Sequence, residues 1–322
     1  FLPNEVMVEM VESLEENQAI FCGDEVVAFY TKDTQEEVDF DTYEVIEYTE
    51  DCLRVENPWD IFKNNDAAIR EDFELLTEGR VSQPIPASVN TIAPENIFIE
   101  EGVRVKAAVL NAENGPIYLG KNSEVKEGAL IRGPFSLGEG SVVNMGAKVR
   151  GDTSVGPYCK VGGEISNSVI FGYSNKSHDG FLGNSVVGEW CNIGADTNTS
   201  NLKNNYKKVK LWDYNTEKME STDLQFCGLI MGDHAKCSIN TMFNTGTVVG
   251  VGANIFGEGF PPNFIPSFSW GGSRGIETFD FDKFLEMTEI VLQRRNKDLS
   301  QDDIHILKSV YNLSAKYRTW EK

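Results

Sequence analysis

Histidine is scarce in this chain of 322 residues, with three in all, and the first 60 residues hold only 2 basic side chains against 18 acidic ones. That segment would repel nucleic acid or an anionic membrane, so neither is an expected partner, and a solvated acidic surface accounts for it. Apolar runs fall far short of the roughly 20 residues a membrane span needs, and no secretory segment opens the chain. Residue 1 is Phe rather than Met, so a segment is expected upstream. The six cysteines, at 22, 52, 159, 191, 227 and 237, form no CxxC pair. This excludes a zinc cluster and a disulfide framework, predicts no metal site, and points to free thiols in a reducing cytoplasm.

What the sequence does have is a period. Every sixth residue from 119 is aliphatic: Leu119, Val125, Ile131, Leu137, Val143, Val149, Val155 and Val161. Four positions after each comes a mostly small residue, as in Ser123, Ala129, Ser141, Ala147, Thr153 and Cys159. Upstream the phase runs through Ile99 and Val105; downstream it resumes at Phe181, Val187 and Ile193, then at Met231, Cys237, Phe243, Val249 and Ile255. A period of six is neither helical nor a simple strand alternation. It suits one flat side of a triangular coil, with the aliphatic pointing inward, the small residue in the crowded corner, and three units per turn stacked at strand spacing.

The flanks read differently. Residues 1–80 mix a helical run (Val6, Met10, Leu14) with strand-like runs (Glu25–Tyr30, Tyr43–Tyr48), as expected of a small α/β region. Residues 81–96 read as a linker, 97–260 as the coil with loop excursions at 166–180 and 199–228, and 261–322 as an irregular segment followed by helices. In the first helix Phe284, Met287 and Val291 share a face. The second opens on Ser300 and Asp303 at capping-box spacing, with Ile304, Leu307 and Tyr311 along one stripe.

Candidate chemistry gathers where the period breaks, because loops that leave a rigid scaffold build sites. His305 reads as a helix-surface residue and His234 as a hydrogen-bonded turn residue. His178, in the interruption Asn175–Gly183, is the candidate with a functional reading. The second break, from Ala195 to Lys210, is rich in Asn and Lys within an acidic protein. It reads either as an exposed excursion or as a lid offering cations and amides, Lys203 and Lys207 among them, to a phosphorylated or nucleotide-bearing ligand.

These motifs carry a resemblance. His178-Asp179-Gly180-Phe181-Leu182-Gly183, Asn192-Ile193-Gly194-Ala195 and Ser200-Asn201 through Lys207 resemble the acetyltransferase half of bifunctional N-acetylglucosamine-1-phosphate uridylyltransferase/glucosamine-1-phosphate acetyltransferase. Nearly the whole chain resembles bacterial sugar nucleotidyltransferases of the glucose-1-phosphate thymidylyltransferase-like kind. The residues that carry this are Pro58-Trp59-Asp60, Gly162-Gly163-Glu164, Glu189-Trp190-Cys191-Asn192, Asn240 to Gly246 and Ser267 to Gly272. The resemblance implies a mainly β fold, a left-handed parallel β-helix of hexapeptide repeats, with a small N-terminal α/β region and two C-terminal helices. It implies His178 as general base, Asn201 as a polar contact to the reacting group, Lys207 as an anion-binding residue, and a homotrimer with shared sites. Acetyl-CoA or another acyl-CoA would lie along the backbone of coils at about 230–258.

The sequence also departs from that pattern. Where the acetyltransferases place an Arg-Pro-Gly that holds a sugar phosphate, this chain has Gly162-Gly163, with Lys160 just before. Asn167 and Ser168 replace paired lysines, and Phe181 replaces a tyrosine. Residues 1–90 hold only Gly23 and Gly79, so the Gly-rich triphosphate loop of a nucleotidyltransferase is not visible. Three functions follow as expectations. The first is acyl transfer to an amino sugar or its phosphate or nucleotide derivative. The second is nucleotidyl transfer to a sugar 1-phosphate, with Mg2+ and a nucleoside triphosphate and the β-helix as an oligomerisation module. The third is a non-catalytic trimeric scaffold.

Overall fold

The computed structural model describes residues 1–32 and 37–321 and divides into two compact units, Phe1–Asp60 and Ile61–Lys322. In the first unit the helix Glu5–Glu12 is capped by Asn4, whose side chain accepts from the Met7 N–H at 2.9 Å. Strand Gln18–Cys22 is central, antiparallel to Glu25–Phe29 and parallel to Glu44–Glu47. Gly23, at φ +61°, makes the two-residue turn between the first two strands. It is a hairpin residue, not part of a phosphate loop. The core of this unit is small: Met7, Ile20 and Tyr48 are buried, with the Tyr48 hydroxyl accepting from Asn4 Nδ2 at 2.8 Å.

The second unit begins with the helix Asn65–Thr77 and then becomes a parallel coil of three ladders. One ladder starts at Asn90–Ile92, inside the stretch that reads as linker in the sequence, paired with Val109–Asn111. The second runs through Ile97–Ile99, Ile117–Leu119, Phe135–Leu137 and Thr153–Val155. The third passes through Glu124–Val125, Val142–Val143 and Lys160–Val161 to Asn254–Ile255, and ends in the hairpin Ser269–Gly272 with Gly275–Thr278. All eight aliphatics from Leu119 to Val161 are buried, as are Ser123, Ala129, Ser141, Ala147, Thr153 and Cys159. Each aliphatic contributes ~2 kcal/mol by leaving water, and stacking them in one continuous column removes the need for any covering layer.

The register shows where the period fails. Val143 pairs with Val161, eighteen residues on, but Val161 pairs with Lys176, only fifteen on. The next turn is seventeen residues, Ile165 to Leu182 and Ile170 to Val187. The interruption around His178 is therefore a shortened coil and not an excursion. Residues Glu164–Ile170 and Asn175–Lys176 stay in the ladders where a loop at 166–180 was expected. The inward residue is consequently Leu182, 1% exposed, and not Phe181, which is half-buried. The chain does leave the coil after Thr199. It forms the antiparallel hairpin Lys210–Asp213 with Lys218–Ser221 and rejoins the stack at Leu229–Met231. Trp212 of that hairpin stacks on Phe264 of the coil at 4.1 Å.

Two helices finish the unit. Phe281–Gln293, capped by Asp280, buries Phe281, Phe284, Thr288 and Leu292. Gln301–Leu313 carries the capping box from Ser300 and Asp303 and buries Leu307. Phe284 meets Phe268 of the last coil edge-on at 5.0 Å, so the helices close the end of the solenoid. All six cysteines are free, and among the described residues no helix is long and apolar enough to cross a membrane.

Candidate functional site

At one corner of the coil the chain places Tyr158, Tyr173, Trp190, His234 and Phe268 in the left-handed backbone region, where glycine or asparagine is the usual choice. Successive rings stack, with centroids 5.3 Å apart for Tyr158–Tyr173 and 4.2 Å for Tyr173–Trp190. Each bulky left-handed residue costs ~1 kcal/mol of backbone strain, and a stacked aromatic pair returns a comparable amount. His234 ends the stack against Phe284. It is a turn residue, but its buried Nδ1 has no partner among the described residues, and burial pulls its pKa down to about 4. It is thus neutral at pH 7. His305 is exposed on the last long helix.

The shortened turn puts Lys176 at an inward position, in the column of Val125, Val143, Val161 and Ile193. The side chain is 2% exposed. Its ammonium donates to the carbonyls of Gly162 at 3.0 Å and His178 at 2.6 Å. Burial lowers its pKa to about 8, opposed by the nearby carboxylates Asp179 and Asp196. Lys176 therefore fixes the backbone of His178, whose own side chain is exposed. Period counting passes over Lys176 because the phase is lost in this turn. A lysine just before the candidate histidine was the available signal.

Phe181 and Asn201 are brought together. A Cβ on Gly183 would lie 2.5 Å from the Phe181 ring and 2.8 Å from the Asn201 amide nitrogen, so only glycine fits between them. Asn201 Nδ2 donates to Asn184 Oδ1 at 2.8 Å, and Asn198 Oδ1 accepts from the Phe181 N–H at 2.9 Å. The excursion itself opens a cleft of about 730 Å³. Lys203, Lys210, Asn204, Asn205, Asn244 and Asn263 line it. Two ammonium groups and four amides make a wall able to hold phosphate, carboxylate or sugar hydroxyls. Lys210, Asn244 and Asn263 are additions to the sequence reading; only the first lies in the cationic run.

The remaining candidates fall elsewhere. Lys207 is exposed, with its backbone N–H donating to Asn205 Oδ1, and does not line the cleft. Lys160 lines a separate cavity on the third ladder. His178 lines neither. The coils at 230–258 contribute Ile230, Gly232 and Val248–Val251 to an apolar cleft of about 480 Å³, which Lys316 and Tyr317 border. Among the described residues no group of three or more His, Cys, Asp or Glu side chains could hold a metal ion.

Comparison with known proteins shows similarity to transferases. Residues 1–81 match the family model for sugar nucleotidyl transferases. The chain is 36% identical over 87 residues to the bifunctional protein GlmU of Methanocaldococcus jannaschii, covering 27% of this chain and 21% of that protein. It is 29% identical over 216 residues to a bifunctional sugar-1-phosphate nucleotidylyltransferase/acetyltransferase of Sulfurisphaera tokodaii, covering 66% and 46%. The chain thus spans between a fifth and a half of the length of these relatives. A solved structure, the polysialic acid-specific acetyltransferase NeuO, aligns with 59% of this chain and 85% of its own at 15% identity, with a TM-score of 0.33.

Proposed function

We propose that this chain is a transferase of sugar-nucleotide metabolism, whose β-helix transfers an acyl group from acyl-CoA to an amino sugar or its phosphate or nucleotide derivative. The observation that carries the reading is the cleft built by the excursion, where Lys203 and Lys210 share the lining with four amides. The similarity to nucleotidylyltransferase/acetyltransferase proteins supports it. In this reading the His178 imidazole takes the amine proton as nitrogen attacks the thioester and Asn201 steadies the developing oxyanion; the C–S bond then breaks and CoA leaves as the thiol with that proton. Lys203 and Lys210 hold the anionic part of the acceptor. The coils at 230–258 hold the acyl-CoA, with its pantetheine along the apolar cleft. His178 and the cleft are completed between subunits of a homotrimer.

The test is release of CoA thiol from acetyl-CoA with amino sugars, their 1-phosphates and UDP- or dTDP-linked forms. The His178→Ala variant should lose ~100-fold or more in rate. An unchanged rate would remove His178 from the mechanism, and a monomer in sedimentation at micromolar concentration would remove the shared site.

The match over residues 1–81 favours a second reading, nucleotidyl transfer from a nucleoside triphosphate to a sugar 1-phosphate with Mg2+. No metal step is assigned to this chain. Silence in the thiol assay, together with pyrophosphate release from a longer form of the protein, would select this reading. Silence in both would leave a trimeric scaffold.

A further inference from the structure

A cavity of about 430 Å³ lies between the third ladder and the C-terminal end of the helix Phe281–Gln293. One wall is a row of outward side chains in register on adjacent strands: Lys160, Asn175, Asn192 and Lys236. The facing wall is Arg294 and Arg295. Among the described residues no carboxylate lines the cavity, and none forms an ion pair with these four cations. In a protein of net charge −21, four such cations converging on one space is an arrangement that repulsion opposes.

The dipole of the helix accounts for arginines at its C-terminal end, but not for the two lysines that reach the same space from the opposite wall. Arg295 is held in place by donating to the Tyr158 carbonyl at 3.2 Å, and Lys236 by donating to the His234 carbonyl at 3.1 Å. Burial lowers the Lys236 pKa, a cost that a bound anion would reverse. Asn175 and Asn192 add amide donors between the lysines. Tyr173 and Trp190 also line the cavity, but each covers a face of the other, so they supply a rigid edge and not a stacking platform.

We infer that this cavity is a second anion site, separate from the cleft of the excursion, and that it binds the diphosphate group of a small molecule. A terminal phosphate brings roughly −1.5 to −2 charges and the phosphate it is linked to about −1 more, so a diphosphate offsets most of the charge of these four cations. Lys160, read from the sequence as a substrate contact, belongs to this site.

The test is calorimetric titration of the full chain with inorganic pyrophosphate and, in parallel, with UDP. Pyrophosphate should bind, more weakly as salt is raised, and Lys236→Met and Arg295→Gln should each weaken it ~10-fold or more. Arg294→Gln, on an exposed side chain, guards against misfolding of the Lys236 variant and should act in the same direction. Lys283→Gln, the same charge change elsewhere on that helix, should leave binding unaltered. Tighter binding of UDP than of pyrophosphate assigns a nucleotide; equal binding assigns the diphosphate alone. No heat with millimolar pyrophosphate, wild-type binding in the Lys236, Arg294 and Arg295 variants, or an equal loss in Lys283→Gln would overturn the site.

Discussion

The coils from Leu119 to Val161 and those from Gly162 to Ile255 share one architecture and one set of ladders, yet do different work. In the first stretch the turns keep an eighteen-residue step and, Phe135 apart, the inward positions are aliphatic or small. In the second the step falls to fifteen and seventeen residues, an ammonium enters the inward column, and a hairpin leaves the stack. The three cavities that hold candidate ligand contacts all involve the second stretch. A strictly repeated coil is stable but featureless; its irregular turns are where side chains of different ladders can converge.

The contrast can be broken most strongly in the regular stretch. Leu137→Ala, which empties a fully buried inward position, should cost ~3 kcal/mol in chemical denaturation, whereas a comparable truncation at half-exposed Phe181 should cost less than half of that. Equal losses would mean that the two stretches are packed alike.

Titration sharpens the comparison, because Lys176 and His234, two basic groups with pKa values lowered by burial, both lie in the second stretch. Lys176 has a folded pKa of about 8, below its unfolded 10.5, so the folded state gives up its proton first. Stability of the wild type relative to Lys176→Met should therefore rise as pH climbs from about 8 to 10.5, by up to ~3 kcal/mol. His234 has a folded pKa of about 4 against 6.5 unfolded. Stability relative to His234→Phe should be full above pH 6.5 and fall as pH drops towards 4, by up to ~3 kcal/mol. Flat difference curves in denaturation series across these windows would contradict the burial assigned to the two groups.

The smallest effect concerns the aromatic corner. Trp190 sits at φ +59°, so Trp190→Gly keeps the backbone free while Trp190→Ala keeps the strain and loses the stack. The alanine variant should be the less stable by ~1 kcal/mol in thermal melts. The reverse order would show that the left-handed backbone at this corner carries no net strain.

Much of the coil is legible in the order of its residues alone. The six-residue spacing names the inward residues, because in a coil each side depends only on residues close in sequence. The Ser300–Asp303 box is equally local. The candidate site is legible only in part: the cationic, Asn-rich run announces the excursion, and Phe181 and Asn201 both stand in the motifs that carry the resemblance. The stacked aromatics at left-handed turns are not legible, since each is unfavourable alone and tolerated only beside its neighbour in the next coil.

The sequence by itself determined the coil, its core column and the position of its breaks. Only the tertiary structure decided that Lys176 turns inward, that Lys203 and Lys160 serve different cavities, and that Lys236 meets Arg294 and Arg295. Those outcomes depend on how many residues each turn holds and on which strands lie side by side, because a one-residue slip within a strand turns its side chains to the other face.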